Sequence, residues 1–104
     1  IKYQGKTITT LGYLDTGNNI KDPYKKRSII IVDSNDINLK LEESLLVPFK
    51  TIDNGGLLRC VEIDELVIDD VLIKNRYLLG IIPNKIEIEG AKCILPKEME
   101  EELL

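Results

Sequence analysis

The chain has 104 residues, enough for one domain with a modest core and too few for two. Hydrophobic residues make up 43% and charged residues 31%, so it is expected to fold. A net charge of −4 argues against a nucleic-acid partner, and the absence of histidine removes Ser-His and Cys-His nucleophiles and most zinc sites.

The elements read mostly as strands. Thr7 to Leu14 is rich in Thr and Ile and ends at the turn Asp15-Thr16-Gly17. Lys25-Lys26-Arg27, beside Asp22-Pro23, reads as a solvated turn. Ser28 to Val32 is an uninterrupted β-branched run, the pattern of a strand buried on both faces. Leu45 to Ile52 and Leu57 to Val61 flank Asp53-Asn54-Gly55-Gly56, a strong hairpin signal. Glu62 to Ile68 alternates, Val71 to Ile73 and Tyr77 to Leu79 supply further strands, and Lys85 to Glu89 alternates up to Gly90. Pro96 to Leu104 contains good helix formers behind a proline suited to a first helical position. The expectation is a small β-rich domain of seven or eight short strands with one C-terminal helix.

Cys60 and Cys93 are too far apart in sequence for a C-x-x-C motif. They read as buried small hydrophobes in a reducing compartment, with a disulfide left open. No apolar run approaches the roughly 18 residues needed to span a bilayer, and no signal-peptide pattern opens the chain. It begins without Met, at Ile1-Lys2-Tyr3, inside an apparent strand, so a domain cut from a longer protein is expected.

The tripeptide Asp15-Thr16-Gly17 carries the chemistry. Aspartic-protease catalysis needs two carboxylates about 3 Å apart sharing one proton, which together activate a water for attack on a peptide carbonyl. Asp15 supplies one such carboxylate at a strand end. Thr16 would hydrogen-bond across to a partner loop, and Gly17, lacking Cβ, would let its amide approach the carboxylate. The chain holds no second Asp-Thr-Gly or Asp-Ser-Gly, so a protease reading requires a homodimer with Asp15 beside its symmetry mate. By chance alone the tripeptide occurs in a chain of this length with a probability on the order of one in a hundred. Its context adds weight: an apolar strand precedes it, and a glycine hairpin able to cover substrate follows, with Gly55 and Gly56 at its tip. Leu78-Leu79-Gly80 matches a further feature. The competing reading is a non-catalytic small β-barrel binding or regulatory module in which Asp-Thr-Gly is only a turn.

The order Leu14-Asp15-Thr16-Gly17, glycine hairpin, Leu78-Leu79-Gly80 resembles a retroviral-type pepsin half. From about Thr7 to Pro96 the chain is more closely similar to the sporulation sigma-E factor-processing peptidases of spore-forming Firmicutes. The similarity lies in "LDTGNNIKDPYKKRSIIIVD", "LLVPFKTIDNGGLL" and "GAKCILP". That resemblance implies a retropepsin-like closed β-barrel half, using neither metal nor cofactor. It implies a membrane-anchored parent with this domain facing the mother-cell cytoplasm. The implied substrate is the precursor of a sporulation sigma factor, which loses its N-terminal pro-segment, and the implied trigger is a secreted forespore signal protein. Asp15, Thr16 and Gly17 would be catalytic, and Asn18, Gly55 and Gly56 would meet substrate. Asn18 stands where retroviral enzymes usually have Ala or Ser, and its amide is expected to reach the outer oxygen of Asp15.

Overall fold

The structure, a computed structural model, describes residues 1–3, 5–15, 17–33, 44–50, 55–82, 86, 88 and 90–103. Among them the chain is mostly β with one short C-terminal helix. The strands are β1 (Lys2–Tyr3), β2 (Lys6–Thr7), β3 (Gly12–Leu14), β4 (Ile29–Asp33), β5 (Leu45–Lys50) and β6 (Gly55–Glu62). They continue with β7 (Val67–Ile68), β8 (Val71–Leu72), β9 (Leu78–Ile82) and β10 (Cys93–Leu95), and the helix is α1 (Met99–Glu102).

Six strands form one sheet in the order β3-β10-β4-β9-β6-β5. β3 pairs parallel with β10, and β4 pairs parallel with β9; the other neighbours are antiparallel. The order is not sequential, because β10, last in the chain, inserts between β3 and β4. The segment that leaves β3 must therefore cross the end of β10 to reach β4. β3 and β5 form the two edges of the sheet, and the closed barrel that the resemblance implies is not found among the described residues.

The run at Ser28 to Val32 behaves as its composition predicts. Ile30 and Val32 join Val61, Leu79, Cys93, Leu95 and Met99 in one cluster, while Ile29 joins Val47, Leu58, Cys60 and Leu78 in another. Successive residues of a strand point to opposite faces, so from Ile29 to Val32 β4 has apolar packing on both sides. Its last residue, Asp33, is buried and accepts the Ile86 N–H at 3.2 Å. Gly80 sits at the crowded centre of the second cluster. A Cβ built there lies 2.7 Å from Leu58 Cδ2 and 2.8 Å from Ile29 Cγ2, so only glycine fits without a shift.

Several expected boundaries move. The strand from Thr7 to Leu14 breaks into β2 and β3, and the Thr10 hydroxyl between them donates to Leu11 O at 3.3 Å. Such local side-chain bonds compete with ladder pairing. The helix from Pro96 shortens to Met99–Glu102, because Pro96-Lys97-Glu98 form a tight turn closed by Met99 N→Pro96 O and Glu100 N→Lys97 O. The strand expected at Lys85 to Glu89 lies mostly outside the described residues, and Ile88 pairs with Ala91 as an isolated bridge. Among the described residues no helix is long and apolar enough to cross a membrane.

Candidate active site

Asp15 follows the last residue of β3, and its position is fixed by backbone bonds. Its N–H donates to Leu95 O at the end of β10 (3.1 Å), and its carbonyl accepts the Asn18 N–H (2.9 Å). The side chain is half-buried. Its Oδ1 accepts the Gly17 N–H at 2.9 Å, and a Cβ on Gly17 would lie 3.2 Å from that same oxygen. Glycine thus lets main chain and carboxylate come together, as expected. Thr16 lies outside the described residues.

Asn18 does something different from what the sequence implies. It is 5% exposed, and its Nδ2 donates to Ile29 O at 3.1 Å. Its Oδ1 accepts a long 3.5 Å bond from Ile20 N, and its carbonyl accepts the Lys97 N–H at 3.2 Å. The amide expected on the outer oxygen of Asp15 donates instead to β4, and the residue is largely buried. The physical reason is that the Ile29 carbonyl opens the buried strand β4 and needs a donor there.

The hairpin of β5 and β6 forms in the expected place, with Phe49 opposite Gly56 and Lys50 opposite Gly55. Both glycines are exposed strand residues, and the residues between them and β5, 51–54, lie outside the described residues. Gly55 and Gly56 therefore belong to the β6 arm of the hairpin. At Gly56 a Cβ would lie 3.2 Å from Phe49 Cε1, so this glycine makes room for the ring across the hairpin. Leu78-Leu79-Gly80 belongs to β9, which β10 and β4 separate from β3. The apolar strand beside Asp15 is Cys93-Ile94-Leu95, followed by the fully buried Pro96. Its signal was visible as a short apolar run stopped by proline.

A second cluster shapes the turn after the Asp15 loop. Asp22 is 1% exposed, and its Oδ1 accepts the N–H groups of Tyr24 (2.9 Å) and Lys25 (2.8 Å). Its Oδ2 accepts Arg27 N at 2.8 Å and Arg27 Nε at 2.9 Å. Arg27 also donates to Glu62 on β6 at 3.0 Å. Burial alone would raise the Asp22 carboxyl, but these donors outweigh it and hold the group down to about 2. The basic run is therefore not one solvated turn. Lys25 and Lys26 are exposed, whereas Arg27 is buried and paired on two sides.

Cys60 and Cys93 are both buried free thiols, which closes the disulfide question. Burial pushes Cys60 up to about 12, with the Asp22 charge adding to it and Arg27 opposing it, and pushes Cys93 up to about 11. Neither is poised as a nucleophile. Among the described residues no group of acidic or thiol side chains is arranged to hold a metal ion. Compared with family models, curated proteins and solved structures, the chain matches none.

Proposed function

We propose that the chain is an aspartic endopeptidase domain working as a homodimer, in which Asp15 of two copies forms the shared-proton pair. The observation that carries this reading is the loop at the end of β3: a half-buried carboxylate, held by backbone bonds, with the Gly17 amide donating to one of its oxygens. A donor placed on one oxygen leaves the geometry for a second carboxylate to approach along the other side of the loop. The neighbouring edge of the sheet also supports a second copy. β3 pairs with β10 on one side, and Leu11 just before it and Tyr13 within it are 63% and 43% exposed. An edge strand carrying exposed apolar side chains is a surface for pairing.

The fold proposed with this activity is a retropepsin-like half whose substrate channel is completed by the partner copy and covered by the hairpin of β5 and β6. The substrate proposed from the sequence resemblance is the precursor of a sporulation sigma factor, cleaved to remove its N-terminal pro-segment. The parent would be membrane-anchored, with this domain in the mother-cell cytoplasm, and a secreted forespore protein would signal through the membrane part.

One observation favours the competing reading. A Gly17 N–H on Asp15 Oδ1 is also the local bond of an ordinary Asx turn, as a non-catalytic binding module would show. The pH dependence of kcat/KM on the precursor separates the two. A pair sharing one proton loses activity when that proton leaves and again when a second arrives, so a bell-shaped profile is expected. A rate that rises steadily through pH 9 would remove the shared-proton mechanism.

A further inference from the structure

Asn18 joins three parts of the chain that sequence keeps apart. Its N–H donates to Asp15 O at the end of β3, its side-chain Nδ2 donates to Ile29 O at the start of β4, and its carbonyl accepts Lys97 N ahead of α1. Those three segments are the ones around the Asp15 loop, because β10 lies between β3 and β4 and Leu95 O accepts the Asp15 N–H. The Lys97 side of this tie is itself anchored. The next residue, Glu98, accepts the hydroxyl of Ser28, which precedes Ile29, and Met99 is fully buried in the core. Asn18 is 5% exposed, so these bonds are largely shielded from water. We infer that Asn18 is a positioning residue, which locks the Asp15 carboxylate and the Gly17 amide in register against the rigid strand β4. The inference rests on the protease reading for its effect on turnover, and on geometry alone for its effect on the loop.

A carboxamide fits this task for a physical reason. It offers a donor for a buried carbonyl and an acceptor for Ile20 N within one short, flat group. A small apolar residue in its place would leave the Ile29 carbonyl without this donor and would free the loop from β4. Misplacing a reacting group by about 1 Å costs roughly 100-fold in rate, which sets the scale of the effect.

The test compares the wild type with Asn18→Ala, and with the isosteric Asn18→Asp in case the first does not fold. Two readouts are taken. Steady-state cleavage of the precursor should show kcat reduced by about 100-fold with KM within about twofold. Amide hydrogen exchange followed by NMR should show the Asp15 and Gly17 amides exchanging about tenfold faster, while those of β6 and β9 keep their rates. A raised KM at unchanged kcat would make Asn18 a substrate contact and overturn the inference. Unchanged exchange at Asp15 and Gly17, or acceleration spread evenly over the sheet, would overturn it too. If the wild type shows no Asp15-dependent cleavage, the protease reading fails, and the exchange data still decide whether Asn18 holds the loop.

Discussion

On the proposed protease mechanism, replacing Asp15 by Asn is expected to reduce cleavage of the proposed substrate, a sigma-factor precursor, by about 10⁴-fold or more while leaving the fold intact. Both halves of that expectation follow from the loop. The Asn side chain keeps an oxygen in the place of Oδ1, so it still accepts the Gly17 N–H now held at 2.9 Å. The backbone bonds from Asp15 N to Leu95 O and from Asn18 N to Asp15 O do not involve the side chain at all. The melting temperature should therefore stay within about 2 °C, the range of an ordinary surface substitution. What the amide cannot do is take up or release a proton, and two amides cannot share one. Cleavage measured with purified wild type and variant side by side is the check. A variant that cuts at the wild-type rate would establish that Asp15-Thr16-Gly17 is a turn and nothing more.

The largest effect on stability is expected at Asp22. Its carboxylate accepts four donors from the turn it closes, and Arg27 beside it is only 9% exposed. Asp22→Ala strips Arg27 of one of its two carboxylates and leaves three backbone N–H groups without their acceptor. Removing one partner of a buried pair costs about 3 kcal/mol, less whatever Glu62 recovers. For a domain of this size that lowers the melting temperature by roughly 15 °C. The pH dependence has a definite sign. The folded-state value of Asp22, about 2, lies below its ordinary 3.8, so the stability it contributes is fully present above pH 4. It is lost as pH falls through about 2. The gap in melting temperature between wild type and Asp22→Ala should therefore hold from pH 7 to about 5 and narrow steeply below 4. A gap that stays constant down to pH 2 would mean that the carboxylate is not what holds the turn.

The contrast between what the sequence revealed and what it hid has a physical origin. β4 was legible because four β-branched residues from Ile29 to Val32 commit to both faces of a sheet, a pattern that tertiary context does not overturn. The β5–β6 hairpin was legible because its two arms are long enough to read as strands and the Asn-Gly pair at their junction in the sequence is a strong hairpin signal. β10 was not read as a strand: three residues are too few for periodicity, and its pairing with β3 and β4 is set by partners about 60 to 80 residues away along the chain. The strand beside Asp15 therefore went unidentified in the sequence. Asn18 and Arg27 were misread for a related reason. Polar residues in a loop look solvated in sequence, and only the packing shows that Asn18 serves a buried carbonyl and Arg27 a buried carboxylate. The residue identity of Asp15 was legible. Its environment was not.

The central claim is that one active site needs a carboxylate from each of two copies, and subunit mixing tests it most directly. Wild type and Asp15→Asn are combined at constant total concentration, high enough to populate the dimer, and cleavage is followed as the wild-type fraction falls. If both carboxylates are required and the copies mix at random, activity follows the square of that fraction, so an equal mixture retains about a quarter. A linear fall, with about half the activity left at equal mixing, would show that each copy carries a complete site and would contradict the account.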